Sequence, residues 1–282
     1  MIIATTTEEV RHYVREWKEN GLTIGFVPTM GYLHEGHASL IRNAAEENDK
    51  VIVSIYVNPM QFGPSEDLDS YPRDPERDQT ICERNGTHLI FFPKVKELYP
   101  SGFSSFVEVD GPSDGLCGST RPGHFRGVCT VITKFFNIVQ PDNAYFGKKD
   151  AQQLAVIRKM TKDLCFQVNI VGCPIVREPD GLALSSRNKY LNPTERKAAL
   201  CLSKGLNEGL RLIENGVRKA EIIKSAIHAR IEQEPLARVD YVEVVDPDNI
   251  NSIGNIEGAI LCAVAVYIGN TRLIDNFTWE EA

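Results

Sequence analysis

The stretch Thr23–Leu40, TIGFVPTMGYLHEGHASL, reads as a strand, a glycine-punctuated turn and the start of a helix. Ile24, Phe26 and Val27 form a short apolar run suited to a buried strand. Pro28 has no N–H to donate, which predicts that the ladder stops there. Gly31 and Gly36 remove side chains where backbone turns sharply or approaches a ligand. His34 and His37 flank Gly36, and from Ala38 the pattern ASLIRNAA becomes helical. That order puts two imidazoles at the positive end of a helix, where unpaired N–H groups favour anions. Plain turn chemistry also explains a glycine after a strand. The H-x-G-H spacing at such a junction tips the reading towards a phosphate site.

Working outward, the 282 residues suffice for one large domain or two modest ones, and 42% hydrophobic content is enough to bury a core. The formal net charge of −7 argues against a broad grip on nucleic acid, which needs clustered Lys and Arg. The first residues, MIIATTTEEVRHYV, lack the charged and apolar regions of a secretory leader. No apolar run approaches the ~20 residues of a spanning helix, so neither membrane nor nucleic acid is an expected partner. Seven cysteines without C-x-x-C pairs predict reduced thiols and no zinc site, and with them a cytoplasmic location.

Strand and helix patterns alternate up to about residue 175. Helices are predicted at Thr6–Asn20, from Ala38 to Asn48, and at Asp74–Asn85, Gly127–Val139 and Ala151–Leu164. Strands are predicted at Val51–Val57, His88–Phe92, Phe103–Val109, Ala144–Phe146 and Val168–Val171. This order argues for a Rossmann-like, doubly wound parallel sheet, which binds ligands at the carboxyl ends of its strands. Three polar turns fall there, after Val27, Val57 and Phe146. Beyond Pro174 come helices at Pro193–Ile213 and Lys219–Glu232, then strands at Arg238–Val245, Ala259–Ile268 and Arg272–Asp275. We therefore expect an N-terminal unit over 1–176 and a smaller α+β unit over 177–282.

Further candidates lie in these turns. In Tyr145–Asp150, YFGKKD, Gly147 lets backbone approach a nucleotide and Lys149 can hold polyphosphate as a point charge. Asp150 either caps the next helix or accepts from a ribose hydroxyl. A capped turn with solvated lysines fits the same residues. Gln153 lies one turn on. Gln61, in NPMQF, is a neutral amide at another strand end. Ser185, Ser186 and Arg187 offer hydroxyls and a guanidinium suited to pyrophosphate, or form an ordinary polar loop. The turn RPGHFR at 121–126 is as readily a surface loop anchoring a helix. His12, His88 and His228 read as structural or surface residues. Asp67, Asp69, Asp74 and Glu76 read as a solvated acidic loop without metal-binding spacing.

Together the motifs VPTMGYLHEGH (27–37), VNPMQF (57–62), DLDSYPRD (67–74), RPGHFRGV (121–128), YFGKKDAQQL (145–154) and VREPDGLALSSRN (176–188) resemble the pantoate–β-alanine ligase family. Its H-x-G-H element is similar to the adenylylating signature of the nucleotidyltransferase superfamily that includes class I aminoacyl-tRNA synthetases. The resemblance implies ATP-dependent condensation of pantoate with β-alanine to pantothenate, AMP and pyrophosphate through a pantoyl adenylate. It implies that Met30, Gly31, Tyr32, Leu33, His34, Glu35, Gly36 and His37 line the ATP site, with His37 catalytic and His34 on phosphate. Gly147, Lys148, Lys149 and Asp150 would hold adenosine and phosphates. Val176, Leu184, Ser185, Ser186 and Arg187 would complete the site, with Lys149 and the Ser-Ser-Arg run also acting in catalysis. Gln61 and Gln153 would bind pantoate, and Gln61 would also meet β-alanine. Mg²⁺ would travel on ATP without a protein-held metal, and a cytoplasmic homodimer is implied. Lys148 and Leu184 depart from the Glu and Met common in relatives, which bears on nucleotide affinity only.

The physical requirement agrees. A carboxylate approaching the α-phosphate brings anion to anion, so the site must neutralise both and hold them in line. Helix N-termini, Lys149, Arg187 and the two histidines are expected to supply positive potential. The adenylate must be kept from water, and the long loop after Gln61 is the expected lid. Alternatives are an adenylyltransferase that stops at an adenylated product, a non-catalytic nucleotide-binding regulator, and a tRNA synthetase fragment. The acidic balance disfavours the last, and the paired histidines with Ser-Ser-Arg exceed what the regulator needs.

Overall fold

The computed structural model describes residues 1–64 and 66–281. Its strands are β1 (Ile2–Ala4), β2 (Ile24–Thr29), β3 (Lys50–Ile55), β4 (Leu89–Phe91), β5 (Asn143–Gly147) and β6 (Asn169–Cys173), followed by β7 (Ala237–Val245), β8 (Ile260–Ile268) and β9 (Thr271–Trp279). Between the early strands lie α1 (Thr7–Glu19), α2 (Glu35–Glu47), α3 (Pro75–Arg84), α4 (Val95–Leu98), α5 (Cys117–Thr120), α6 (His124–Val139) and α7 (Ala151–Asp163). Helices α8 (Pro193–Ala198), α9 (Leu200–Glu214) and α10 (Ala220–Ile231) precede β7. The first six strands form one parallel sheet in the order β1-β4-β3-β2-β5-β6, and the last three an antiparallel sheet in the order β7-β8-β9.

Successive strand residues serve opposite faces, and both faces are covered. Phe26, Ile52, Leu89 and Phe91 join Phe135 and Val14 in one buried cluster. Val27, Val51, Val53 and Ile90 join Leu33 and Ile41 in another. Burial on both sides explains why these strands read as continuous apolar runs. In the antiparallel sheet, Cys262, Val264 and Val266 pack against Leu202, Leu206, Ile223 and Ile227 of α9 and α10. Gly209 permits that close approach, since a Cβ there would stand 2.4 Å from Ile227.

Several sequence expectations need correction. The β2 ladder does not stop at Pro28, which pairs with Ser54 of β3. The carbonyls of Thr23 and Thr29 accept from Lys50 and Tyr56, so odd-numbered residues bond towards β3 and Pro28 faces β5. Pairing with β5 has already ended at Phe26–Ala144, and the missing N–H forfeits no ladder bond. Helix α2 begins at Glu35 and not Ala38, because His34 caps it. Phe103–Val109 joins no ladder. Its alternation serves one-sided packing: the Val107 N–H donates to Thr130 Oγ1, and Arg126 lies over Phe106. The helix expected over 193–213 is interrupted at Ala199, whose angles of −56° and −20° make one tightened turn. β9 runs four residues beyond Asp275, pairing through to Ile260–Trp279. The edge strand β1 is too short for periodicity to find.

Candidate active site

The order β3-β2-β5 places a topological switch between β2 and β5, and the cavity opens at their carboxyl ends. An inner chamber of about 230 Å³ is lined by Met30, His34, Gly36, His37, Gln61, Gly147, Lys149, Asp150, Gln153, Val176, and Leu184 through Arg187. An outer chamber of about 500 Å³ adjoins it at Lys149, Asp150, Gln153, Ser185 and Arg187, and reaches Arg272–Asn276 of β9. Three separate turns and the 176–187 segment thus converge on one space. Gly31, Tyr32, Leu33, Glu35 and Lys148 stand outside the described walls of the inner chamber. Leu33 is fully buried in the core, Glu35 pairs with Arg42, and Lys148 is exposed.

His34 is the N-cap of α2, and its Nδ1 accepts the Gly36 N–H at 3.1 Å. His37, one turn in, accepts the His34 N–H on Nδ1 at 3.3 Å. The two rings lie 4.1 Å apart. A Cβ on Gly36 would meet the His34 ring at 2.9 Å, so only glycine lets that ring fold back over the helix start. Burial lowers the His34 pKa to about 4, with Lys149 adding to the effect. Burial, then His34 and Lys149, lower His37 well below its ordinary value. Both rings are therefore neutral near pH 7, with Nδ1 committed to backbone and the proton on Nε2. This differs from the expectation that they supply positive charge; the basic side chains lining the chamber include Lys149 and Arg187.

The β5 turn is held from the second sheet. Asn276 Nδ2 donates to the carbonyls of Lys148 at 3.0 Å and Lys149 at 2.8 Å. Asp150 gives no side-chain cap to α7, and it stands 3.9 Å from the Lys149 ammonium. Of the two alternatives for Asp150, the capping one falls. Gln152 next door is structural, bonding Cys117 N–H and the Pro112 and Gly115 carbonyls.

The 176–187 segment folds back on itself, with the Leu184 N–H donating to the Val176 carbonyl at 3.0 Å. Ser185 caps the turn by accepting from the Arg187 N–H, and Ser186 Oγ reaches the Tyr32 carbonyl at 3.4 Å. Arg187 donates Nε and Nη2 to the two oxygens of Asp67, at 3.1 and 2.9 Å. Burial works to raise the Asp67 pKa, but the guanidinium outweighs it and holds the carboxyl below its ordinary value. Asp67 is thus not a solvated acid of the loop. Asp74 is not free either, since it caps α3.

Gln61 is buried in the 3-10 turn Pro59–Gln61, its oxygen accepting from Asn58 Nδ2 and its amide facing Met30 Sδ at 3.1 Å. Its carbonyl meets His124 Nδ1 at 2.9 Å, and His124 Nε2 meets Arg121 at 3.0 Å. Arg121 in turn donates to both oxygens of Glu66. The RPGHFR turn therefore supports the Gln61 wall through Arg121 and His124, while Pro122, Gly123 and Arg126 stay exposed as expected of a surface loop anchoring a helix. Asn58, Asp78, His124 and Asn276 escaped sequence reading as site-supporting residues. Only His124 left a signal, as the histidine of the RPGHFR turn at the start of α6.

A doubly wound α/β sheet with paired imidazole donors at its switch point defines an enzyme of the phosphate-handling Rossmann-like class. The sequence model of the family described as pantoate-beta-alanine ligase matches residues 2–278. A pantothenate synthetase of Clostridium botulinum (strain Kyoto / Type A2) is 57% identical over 280 residues, covering 99% of this chain and 100% of its own. One of Clostridium acetobutylicum is also 57% identical, with the same coverage. The crystal structure of pantothenate synthetase from Thermus thermophilus matches with a TM-score of 0.93 at 44% identity, over 98% of this chain and 99% of that one. Pantoate-beta-alanine ligase from Francisella tularensis, complexed with Beta-gamma ATP and beta-alanine, matches with a TM-score of 0.80 at 36% identity, over 98% and 97%. The chain belongs to the pantoate–β-alanine ligase family.

Proposed function

We propose that this ligase condenses pantoate with β-alanine, coupled to cleavage of ATP, through a pantoyl adenylate. The observation that carries the reading is the pair of neutral imidazoles, each with Nδ1 bound to backbone, facing the chamber that Lys149 also lines. In the first step a pantoate carboxylate oxygen bonds to the α-phosphorus, and the bond to the bridging oxygen of pyrophosphate breaks. Nε2–H of His37 donates to the α-phosphoryl oxygen as charge develops, and His34 donates to the departing phosphates. Lys149 and Arg187 neutralise pyrophosphate, with Ser185 and Ser186 ordering the arginine's turn. In the second step the neutral amine of β-alanine attacks the acyl carbon, the C–N bond forms, AMP leaves with the bonding pair, and the proton lost from nitrogen passes to the departing phosphate or to solvent.

Gln61 and Gln153 hold pantoate from opposite walls, and Gln61 also meets β-alanine. Met30, Gly36, Val176 and Leu184 surround the nucleotide, with Gly147 and Asp150 against its ribose. Gly31, Tyr32 and Leu33 shape the turn that carries His34, Glu35 opens α2, and Lys148 helps place the 147–150 turn through the hydrogen bond its carbonyl accepts from Asn276. Among the described residues no cluster of three His, Cys, Asp or Glu side chains is arranged for a metal ion. On this reading Mg²⁺ enters on the oxygens of ATP. The division into 1–176 and 177–282, a homodimer and a cytoplasmic location complete the reading. No helix among the described residues is long and apolar enough to cross a membrane.

Incubation with ATP, Mg²⁺, pantoate and β-alanine yields AMP, pyrophosphate and pantothenate in equal amounts. ADP and phosphate in their place would rule out the adenylate. Pyrophosphate release with the adenylate accumulating, and no AMP even when β-alanine is present, would favour a plain adenylyltransferase.

A further inference from the structure

We infer that Asp78 of α3 is a positioning residue for the two histidines, acting through the backbone of the turn that precedes them. The inference rests on the adenylate-forming reading above. Asp78 is 1% exposed, and among the described residues it has no ion-pair partner. Its two oxygens instead serve one backbone feature. Oδ2 accepts the Tyr32 N–H at 2.8 Å and Oδ1 the Leu33 N–H at 2.6 Å. Gly31 and Tyr32 have successive positive φ angles of 83° and 52°. Such a backbone turns consecutive N–H groups inward as an anion-binding concavity. Here the anion is supplied by the protein.

The strain lies on Tyr32, a bulky residue held in the left-handed region. Without a buried acceptor, two inward N–H groups would be left unpaired and that conformation would relax. Gly31 is matched to the carboxylate, since a Cβ there would stand 3.0 Å from Asp78 Oδ2. The consequence passes one residue along. Leu33 is followed by His34, whose N–H holds the His37 ring. The Tyr32 carbonyl meets Ser186, so the same turn also sets the distance to the Arg187 segment. Asp78 is thus the residue on which two walls of the inner chamber are referenced, though it touches no part of the chamber.

Asp78→Asn is nearly isosteric but places an amide N–H₂ against one of the two N–H groups. Pantoate-dependent ATP–pyrophosphate exchange should fall by about 10- to 100-fold in kcat, the scale of a small misplacement of reacting groups. KM for ATP and pantoate should shift by less than about threefold, since the binding walls persist. The ¹⁵N signature of His34 and His37, held as Nε2–H tautomers in the parent, should become a mixture. Gly31→Ala, which presses a methyl group on the carboxylate, should show the same split if Asp78→Asn does not fold. Parent-like exchange and tautomers in a folded variant would overturn the inference, as would a loss confined to KM. Absence of exchange in the parent would instead overturn the adenylate-forming reading.

Discussion

The backbone N–H of His34 points at Nδ1 of His37, 3.3 Å away, so the cap residue of α2 sets the tautomer of its neighbour. Depressed basicity follows from burial, and direction follows from the backbone bond. A ring so held, when neutral, carries its proton on Nε2.

Neither ring should titrate across neutrality. ¹⁵N resonances of both should report neutral Nε2–H imidazole down to about pH 5, well under the ordinary value of about 6.5. His37→Ala should lower kcat for adenylate formation by about 10²- to 10³-fold, as expected for loss of one donor to developing charge. Pantoate affinity should be nearly unchanged. A charged imidazolium at pH 7, or near-parent single-turnover rates in the variant, would remove His37 from this role.

Stability should fall on acidification. His34 and His124 have folded pKa values of about 4, each depressed first by burial, and burial also holds His37 well below its ordinary value. Below about 6.5 the unfolded chain binds protons that the folded chain refuses, so stability is complete above that pH and declines towards 4. For each of His34 and His124 the span corresponds to on the order of 3 kcal/mol. The urea midpoint should therefore be lower at pH 5 than at pH 7.5. Equal midpoints would show that these rings protonate in the folded protein.

Asn276→Ala removes both donors to the Lys148 and Lys149 carbonyls, a change of about 1–3 kcal/mol in how firmly that turn is held. The expected result is a rise of about tenfold in KM for ATP with a smaller change for pantoate. Unchanged nucleotide affinity would mean that the 147–150 turn is fixed by the first sheet alone.

Asp275, 3% exposed, receives Arg177 through both oxygens at 2.6 and 2.8 Å. Asp275→Asn strands a partly buried guanidinium and should lower Tm by on the order of 10 °C, from about 3–5 kcal/mol lost. A fall of less than about 2 °C would show that solvent takes over from the carboxylate.

The parallel sheet was legible because its strands are buried on both faces, which forces apolar runs such as VIVSI at 51–55. The chamber walls were legible because small and polar residues gather at strand ends: His37, Gln61, Lys149 and Arg187 meet as their turns suggested. What supports those walls was not. Asp78 sits inside a helix whose pattern gives no reason to expect a buried acid, and its partners lie 45 and 46 residues away. Asn276 belongs to a strand of the other sheet, and Asp67 looks like any loop carboxylate until Arg187 arrives from 120 residues further on. The failed strand at 103–109 has the same origin, since alternation reports one-sided burial and not a ladder partner.

Pro28 bears on how the fold stays open. It lies on the β2–β5 seam, lines the inner chamber, and follows the last paired residue, Phe26. A residue with an N–H there would have a donor to offer across the seam, and two parallel strands with matching donors and acceptors tend to zip onward. Pairing across the seam ends two residues before Pro28, and the imino acid offers no donor that could carry it further. Pro28 thus gives the chamber a wall at the open end of the seam that has no backbone N–H to satisfy.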